Sequence, residues 1–218
     1  MILLAWAGAA SAQLERFSGA DATGALRAAL EQGSRAAVKS LGRSDGFLGN
    51  PRVRIPLPRS AQRAEKLMRR LGMGEYADEL IVTLNRAAEQ AVPQARDLLV
   101  QSVRRMSVRD AKQILTGGDT AATEYFRRTT RGALHRRFLP IVRKATARVR
   151  LAQAYGRYAD KAAAVGLLRK EDADLDEYVT QKALDGLYFT LGEEEKKLRA
   201  QPARAGSRLL REVLGALR

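Results

Sequence analysis

One stretch of this chain cannot be helix. Between Asp45 and Pro58 the residues Asp-Gly-Phe-Leu-Gly-Asn-Pro-Arg-Val-Arg-Ile-Pro-Leu-Pro place three prolines in eight positions. Each proline lacks an N–H and biases the residue before it toward extended geometry. Val53, Ile55 and Leu57 alternate with Arg52, Arg54 and Pro56, so an extended backbone here has one apolar edge and one basic edge. The reading is an ordered strap over about residues 45–58, laid on helices, with room for a brief two-stranded pairing. From Asp21 onward the rest of the chain repeats its apolar residues at three and four. The expected fold is all-α: a single-domain multi-helix bundle over about residues 20–217 with this one Pro-rich extended strap.

Caps and breakers divide the helices. The first runs from Asp21, as N-cap, to a stop before Gly42, and buries Leu26, Leu30, Gly33, Ala37 and Leu41. A short helix over about 60–71 closes at Gly72, and Gly74 opens the next, which turns Leu80, Leu84, Ala87, Ala88 and Ala91 inward. Pro93 kinks or ends it, and a further helix carries Leu98, Leu99, Val103 and Met106. Ser107-Val108-Arg109-Asp110 has the form of a capping box with Asp in the fourth place. That helix ends at Thr116-Gly117-Gly118, and Asp119 is the expected cap of one running to a break at Phe138-Leu139-Pro140. Another helix from about 141 is interrupted near Gly166. Asp174 or Asp176 caps the next, which reaches about Ala200. Pro202 then separates a short amphipathic helix with Leu209, Leu210, Val213, Leu214 and Leu217. No segment is rich enough in Gly, Ser or Pro to read as a linker between domains.

Composition removes most chemistry before any motif is sought. The 218 residues include no Cys and a single His, His135. Disulfides, thiolate nucleophiles, thiolate metal sites and any multi-histidine site are therefore excluded, and no cofactor motif is present. The opening Ile2-Leu3-Leu4-Ala5-Trp6-Ala7-Gly8-Ala9-Ala10-Ser11-Ala12 is apolar and ends in the small-x-small pattern of a signal-peptide cleavage site. The expected leader is residues 1–12, cleaved before Gln13; the alternative is an apolar N-terminal helix packed on the core. No Lys or Arg follows Met1, so the charged start of such a leader is expected upstream. No other stretch approaches 18 apolar residues, and in a bacterium this combination addresses the chain to the periplasm.

The strap, the run RLGMGEYADELIVTLNRAAEQAVPQA, the turn ILTGGDTAATEYFRRTT and the segment YVTQKALDGLYFTLGEEEKKLRAQP together resemble a bacterial family known as a domain of unknown function, family 4197. The resemblance covers about residues 20–217. It implies an exported, helix-rich envelope protein of Gram-negative bacteria, and it carries over no catalytic residue set.

The net charge is +15, unevenly spread. Residues 96–157 hold 15 basic and 4 acidic side chains, net +11, whereas residues 158–200 are net −3. A basic face attracts polyanions in a salt-dependent way. Outside the cytoplasm those are anionic lipid head groups, lipopolysaccharide phosphates and acidic glycans; nucleic acid becomes a partner only if the leader is not a leader. The bland reading stands beside it: Arg outnumbers Lys 30 to 9, as expected where a GC-rich genome fills tolerant surface positions.

The residues singled out for anion or partner binding are Arg52 and Arg54 on the strap, Gly117 and Gly118 at the most site-like turn, and Arg127, Arg128, Arg131, Arg136 and Arg137 on the helix after it. Two glycines before a helix start can aim N–H groups at an anion, although a Gly-ended helix followed by an Asp cap explains the same residues. His135 reads as exposed. The acids at 75–79, 172–176 and 193–195 read as caps and charged faces, and Asp172-x-Asp174-x-Asp176 departs from a calcium loop at Glu177 and Ala183. Asn85 and Asp185 read as buried polar staples. The aromatic residues Tyr76, Tyr155, Tyr158, Tyr178, Tyr188 and Phe189 are core or the lining of a cavity. The expected activity is thus non-catalytic binding of an anionic envelope component. The alternatives are a helical carrier of a small hydrophobic ligand and an enzyme working with carboxylates or arginines.

Overall fold

The computed structural model describes residues 19–72, 74–147 and 174–201. Among these the chain is all-α, with no strand. The helices are α1 (Gly19–Leu41), α2 (Arg59–Arg70), α3 (Gly74–Ala91), α4 (Ala95–Arg104), α5 (Val108–Thr116), α6 (Ala121–Thr146) and α7 (Leu175–Ala200), with a 3-10 turn at Val92–Gln94. The expected leader at 1–12, the interruption near Gly166, the aromatic residues Tyr155 and Tyr158 and the C-terminal amphipathic segment lie outside the described residues.

Most boundaries follow the local chemistry. Gly72 ends the α2 turn at φ +76°, a conformation that glycine adopts without a Cβ penalty. The Ser107–Asp110 capping box is complete: the Ser107 hydroxyl accepts from the Asp110 N–H at 3.1 Å, and the Asp110 carboxylate accepts from the Ser107 N–H at 3.0 Å. Asp174 caps α7 by accepting from the Glu177 N–H at 3.0 Å.

Three boundaries differ from expectation. Helix α1 already begins at Gly19, so Asp21 sits inside the first turn, where its charge suits the helix dipole. Pro140 does not break α6, which runs through it to Thr146. Pro140 and Arg136 both face solvent, so the Arg136 carbonyl that loses its N–H partner is open to water. Asp119 does not stand next to the first residue of α6. The Glu124 N–H returns to the Thr120 carbonyl at 2.9 Å, and the first free N–H groups of α6 are taken by a residue far along the chain.

The described chain divides into two compact units. One comprises residues 19–37, 96–130 and 190–201. Its core includes Leu26, Leu30, Leu99, Val103, Met106, Ile114, Phe126 and Leu191. At its centre Glu195, 6% exposed, accepts from the Ala122 N–H and the Thr123 N–H, each at 2.9 Å, and from the Thr123 hydroxyl at 2.8 Å. Arg199 donates to the same carboxylate at 3.0 Å and to the Ile114 carbonyl at 2.8 Å. A buried carboxylate thus caps the positive end of α6 while its guanidinium partner caps the negative end of α5. The acids 193–195, expected on a charged face, therefore include one structural anchor.

The other unit comprises residues 38–72, 74–95, 131–147 and 174–189 and contains the strap. Val53, Ile55 and Leu57 are buried while Arg52, Arg54 and Pro56 are exposed, as the alternation requires. Among the described residues no second strand pairs with it. Instead Asn85, fully buried on α3, accepts from the Ile55 N–H at 2.8 Å and donates to the Ile55 carbonyl at 2.9 Å and to the Ile81 carbonyl at 2.8 Å. One side-chain amide supplies both hydrogen bonds that a neighbouring strand would have given. Glu89, one turn on and 4% exposed, accepts from the Phe47 and Leu48 N–H groups at 3.0 and 3.1 Å and pairs with Arg86 at 2.6 Å. Tyr178 donates to the Pro56 carbonyl at 3.0 Å. Asp185, expected to be buried, is half exposed and pairs with Arg131, because its place on α7 faces outward.

Candidate anion-binding surface

No Asp or Glu occurs between Tyr125 and Ala159. The basic residues of this stretch that the structure describes lie on α6, and their fates differ. Arg127 is half-buried with Glu124 at 3.6 Å. Arg128 stands 3.7 Å from Asp110 and over the Tyr125 ring at 5.6 Å. Arg131 is held by Asp185 at 3.4 Å and by Gln181. These three are turned to neighbouring side chains of their own unit.

Arg136 and Arg137 are different. Both are exposed, and among the described residues neither has a carboxylate within ion-pair distance. Arg143 and Lys144, seven residues on, are exposed too; Arg143 reaches Asp176 only at 4.0 Å. With 3.6 residues per turn, positions 136, 137, 140, 143 and 144 fall on one side of the helix. That side carries four cations, Pro140 and no acid.

The strap arginines form a separate pair. The Arg52 guanidinium lies over the Phe189 ring at 4.6 Å from its centroid, which leaves its outer face directed away from the ring. Arg54 is exposed, and its charge helps hold the Asp78 carboxyl below the ordinary carboxylate range, behind the larger effect of the Arg69 hydrogen bond.

At the glycine turn, a Cβ on Gly117 would lie 2.7 Å from the Gln113 carbonyl oxygen and from Ala121 Cβ, so only glycine fits. Gly118 is exposed. The helix start that follows is filled by the Glu195 carboxylate, an anion supplied by the protein itself. The sequence reading missed both Glu195 and Glu89. For Glu89 a signal existed, since it stands among Ala87, Ala88 and Ala91 on the apolar side of α3; Glu195 sits within Glu-Glu-Glu-Lys-Lys and carries none.

His135 is half-buried rather than exposed, with its Nε2 2.8 Å from both Glu177 oxygens. Burial raises the Glu177 carboxyl, but hydrogen bonds from Gln181 and His135 outweigh it and hold the group below the ordinary range. Tyr76 is exposed and Tyr188 fully buried; they do not share a cavity lining. Among the described residues no three His, Asp or Glu side chains gather as a metal site would need. The buried acids are spent on backbone N–H groups. Among the described residues the α6 arrangement offers charge at a surface.

No curated protein and no solved structure matches the chain. A family model does, over residues 16–215, described as a protein of unknown function (DUF4197). That match spans the strap, both buried glutamates and the basic helix, and on it the chain belongs to the DUF4197 family.

Proposed function

We propose that this protein is an exported, non-catalytic binding module of the bacterial cell envelope, and that the outward side of α6 is its face for anionic envelope components. The observation that carries the reading is the stripe of Arg136, Arg137, Arg143 and Lys144, which has no acid on it. Arg69, by contrast, stands beside Glu65 and Asp78. Among the described residues Arg136, Arg137 and Lys144 have no carboxylate within ion-pair distance, and Arg143 reaches Asp176 only at 4.0 Å. Each exposed Lys or Arg near an anionic bilayer is worth about 1 kcal/mol, so four contribute on the order of 4 kcal/mol. That is enough for reversible attachment and remains sensitive to salt. Among the described residues no helix is long and apolar enough to cross a membrane, which fits attachment from one side. Export rests on the apolar start and its Ala10-Ser11-Ala12 site.

Sedimentation with vesicles tests the reading. The protein should pellet with vesicles rich in anionic phospholipid, less so at moderate salt, and not with neutral ones. The Arg136→Glu/Arg137→Glu variant should remain in the supernatant. Equal pelleting under all conditions overturns the assignment. N-terminal sequencing of protein recovered from the periplasm should begin at Gln13.

A further inference from the structure

The α6 stripe of Arg136, Arg137, Pro140, Arg143 and Lys144 can donate hydrogen bonds, but none of its side chains can accept one. Pro140 supplies an acceptor from the backbone. It lies inside α6 and lacks the N–H that would reach back four residues, so the Arg136 carbonyl has no helical partner. Both residues are exposed, and the orphaned oxygen faces solvent.

Its position sets it among the cations. A helical carbonyl points toward the C-terminus, which puts this oxygen near the level of Pro140, about 5 Å along the axis from residues 143 and 144. Helical side chains lean the other way, toward the N-terminus. Arg136 leans over Gly132 in this manner, its guanidinium 3.7 Å from where a Cβ would be. The same lean carries Arg143 and Lys144 back toward the turn that holds the free oxygen. The Asp176 carboxylate, 4.0 Å from Arg143, accepts from the buried Thr146 hydroxyl at 2.5 Å.

A surface of donors alone takes any anion. One with an acceptor set among the cations discriminates, because docking strips water from the oxygen and leaves it unpaired unless the ligand brings a donor. A phosphodiester with a hydroxyl on a neighbouring carbon meets both needs. Its charge suits Arg143 and Lys144, and its O–H can donate to the Arg136 carbonyl.

Resting on the anion-binding reading, we infer that this face selects phospholipid head groups that carry free hydroxyls beside the phosphate. Pro140 sets the selection by releasing the Arg136 carbonyl.

Vesicle sedimentation of the whole protein separates the two claims. Phosphatidylglycerol and phosphatidylmethanol carry the same charge on the same phosphodiester, and only the first has head-group hydroxyls. At equal anionic content in phosphatidylcholine, the protein should bind phosphatidylglycerol about three- to tenfold more tightly, the range of one neutral hydrogen bond. Pro140→Ala restores the missing N–H and should bring the two affinities together. Alanine favours helix, so circular dichroism should show the helix content retained. Equal binding of the unaltered protein to the two anionic lipids, with none to phosphatidylcholine alone, overturns the inference and leaves the anion-binding reading standing. A preference that survives Pro140→Ala also overturns it. Binding that ignores charge altogether overturns the anion-binding reading, and the inference with it.

Discussion

Gly186 on α7 faces Phe47 of the strap so closely that a Cβ on it would lie 2.6 Å from the ring Cε1, 3.2 Å from Cζ and 3.4 Å from Val53 Cβ. The absent side chain is the space the phenyl ring occupies. Gly186→Ala should therefore destabilise the fold by about 1–3 kcal/mol through overpacking, even though alanine favours helix. Urea denaturation measures it, and Phe47→Leu in the same chain should recover part of the loss as a coupling between the two sites.

The opposite sign is expected at two other helical glycines. A Cβ on Gly24 meets nothing within 4 Å, and one on Gly132 meets only the Arg136 guanidinium at 3.7 Å; both positions are exposed. Gly24→Ala and Gly132→Ala should each stabilise by about 0.5–1 kcal/mol. A fall in the thermal midpoint for either would contradict the packing described.

Asn85 should be irreplaceable by shape alone. Asn85→Leu fills similar space but strands the Ile55 N–H and carbonyl in the core, at about 1–3 kcal/mol for each buried group left without a partner. Asn85→Asp keeps the acceptor for Ile55, loses the donor and places a charge in the core. Because burial raises the pKa of such a carboxyl, this variant should be less destabilised at mildly acidic pH than at neutral pH, as read from paired urea curves.

Loss of Glu195 should cost about 3 kcal/mol, since it unsatisfies two α6 N–H groups and leaves Arg199 without its partner. Glu195→Gln keeps one acceptor and should cost less than Glu195→Ala. Hydrogen exchange at the Ala122 and Thr123 amides should accelerate in both, ahead of exchange elsewhere in α6.

Asp110 and Glu177 contribute to an acid limit. Asp110 is held below the ordinary range, chiefly by the Ser107 hydroxyl and then by the Ser107 N–H. Glu177 is lowered by Gln181 and His135 against its burial. Each folded value lies below the unfolded one, so each contributes stability that is full above the unfolded value, near 4, and is lost as pH falls through the folded value. The thermal midpoint should decline below about pH 4. Replacing both, Asp110→Asn with Glu177→Gln, should flatten that decline while lowering the midpoint at neutral pH.

The parts of this fold legible in the sequence were those set within a few residues. The Ser107 box, the Gly72 stop and the alternating burial of Val53, Ile55 and Leu57 each follow from neighbours in the chain. Pro140 misled because its effect depends on which way it faces, and a solvent-facing proline leaves its orphaned carbonyl to water. Asp119 misled for a different reason: the groups it was expected to cap are claimed by Glu195, 73 residues from Ala122, and nothing local announces that. Of the candidate site, the lack of acids along α6 after Glu124 could be read directly. Which arginines would find partners could not, since Asp110 and Asp185 come from other helices.

Asn85 and Glu89 stand one helical turn apart on α3, and each grips the strap at a fixed point, Ile55 and Phe47–Leu48. The six residues between those grips must span a set distance with the apolar edge inward. Gaining one residue there would present Arg54 to the place where Ile55 belongs, and losing one would present Pro56 there and Arg54 to the place of Val53; either turns the cationic edge into the protein. Length changes in relatives of this chain should therefore fall before Gly46 or after Pro58, while the interval 48–55 keeps a constant count.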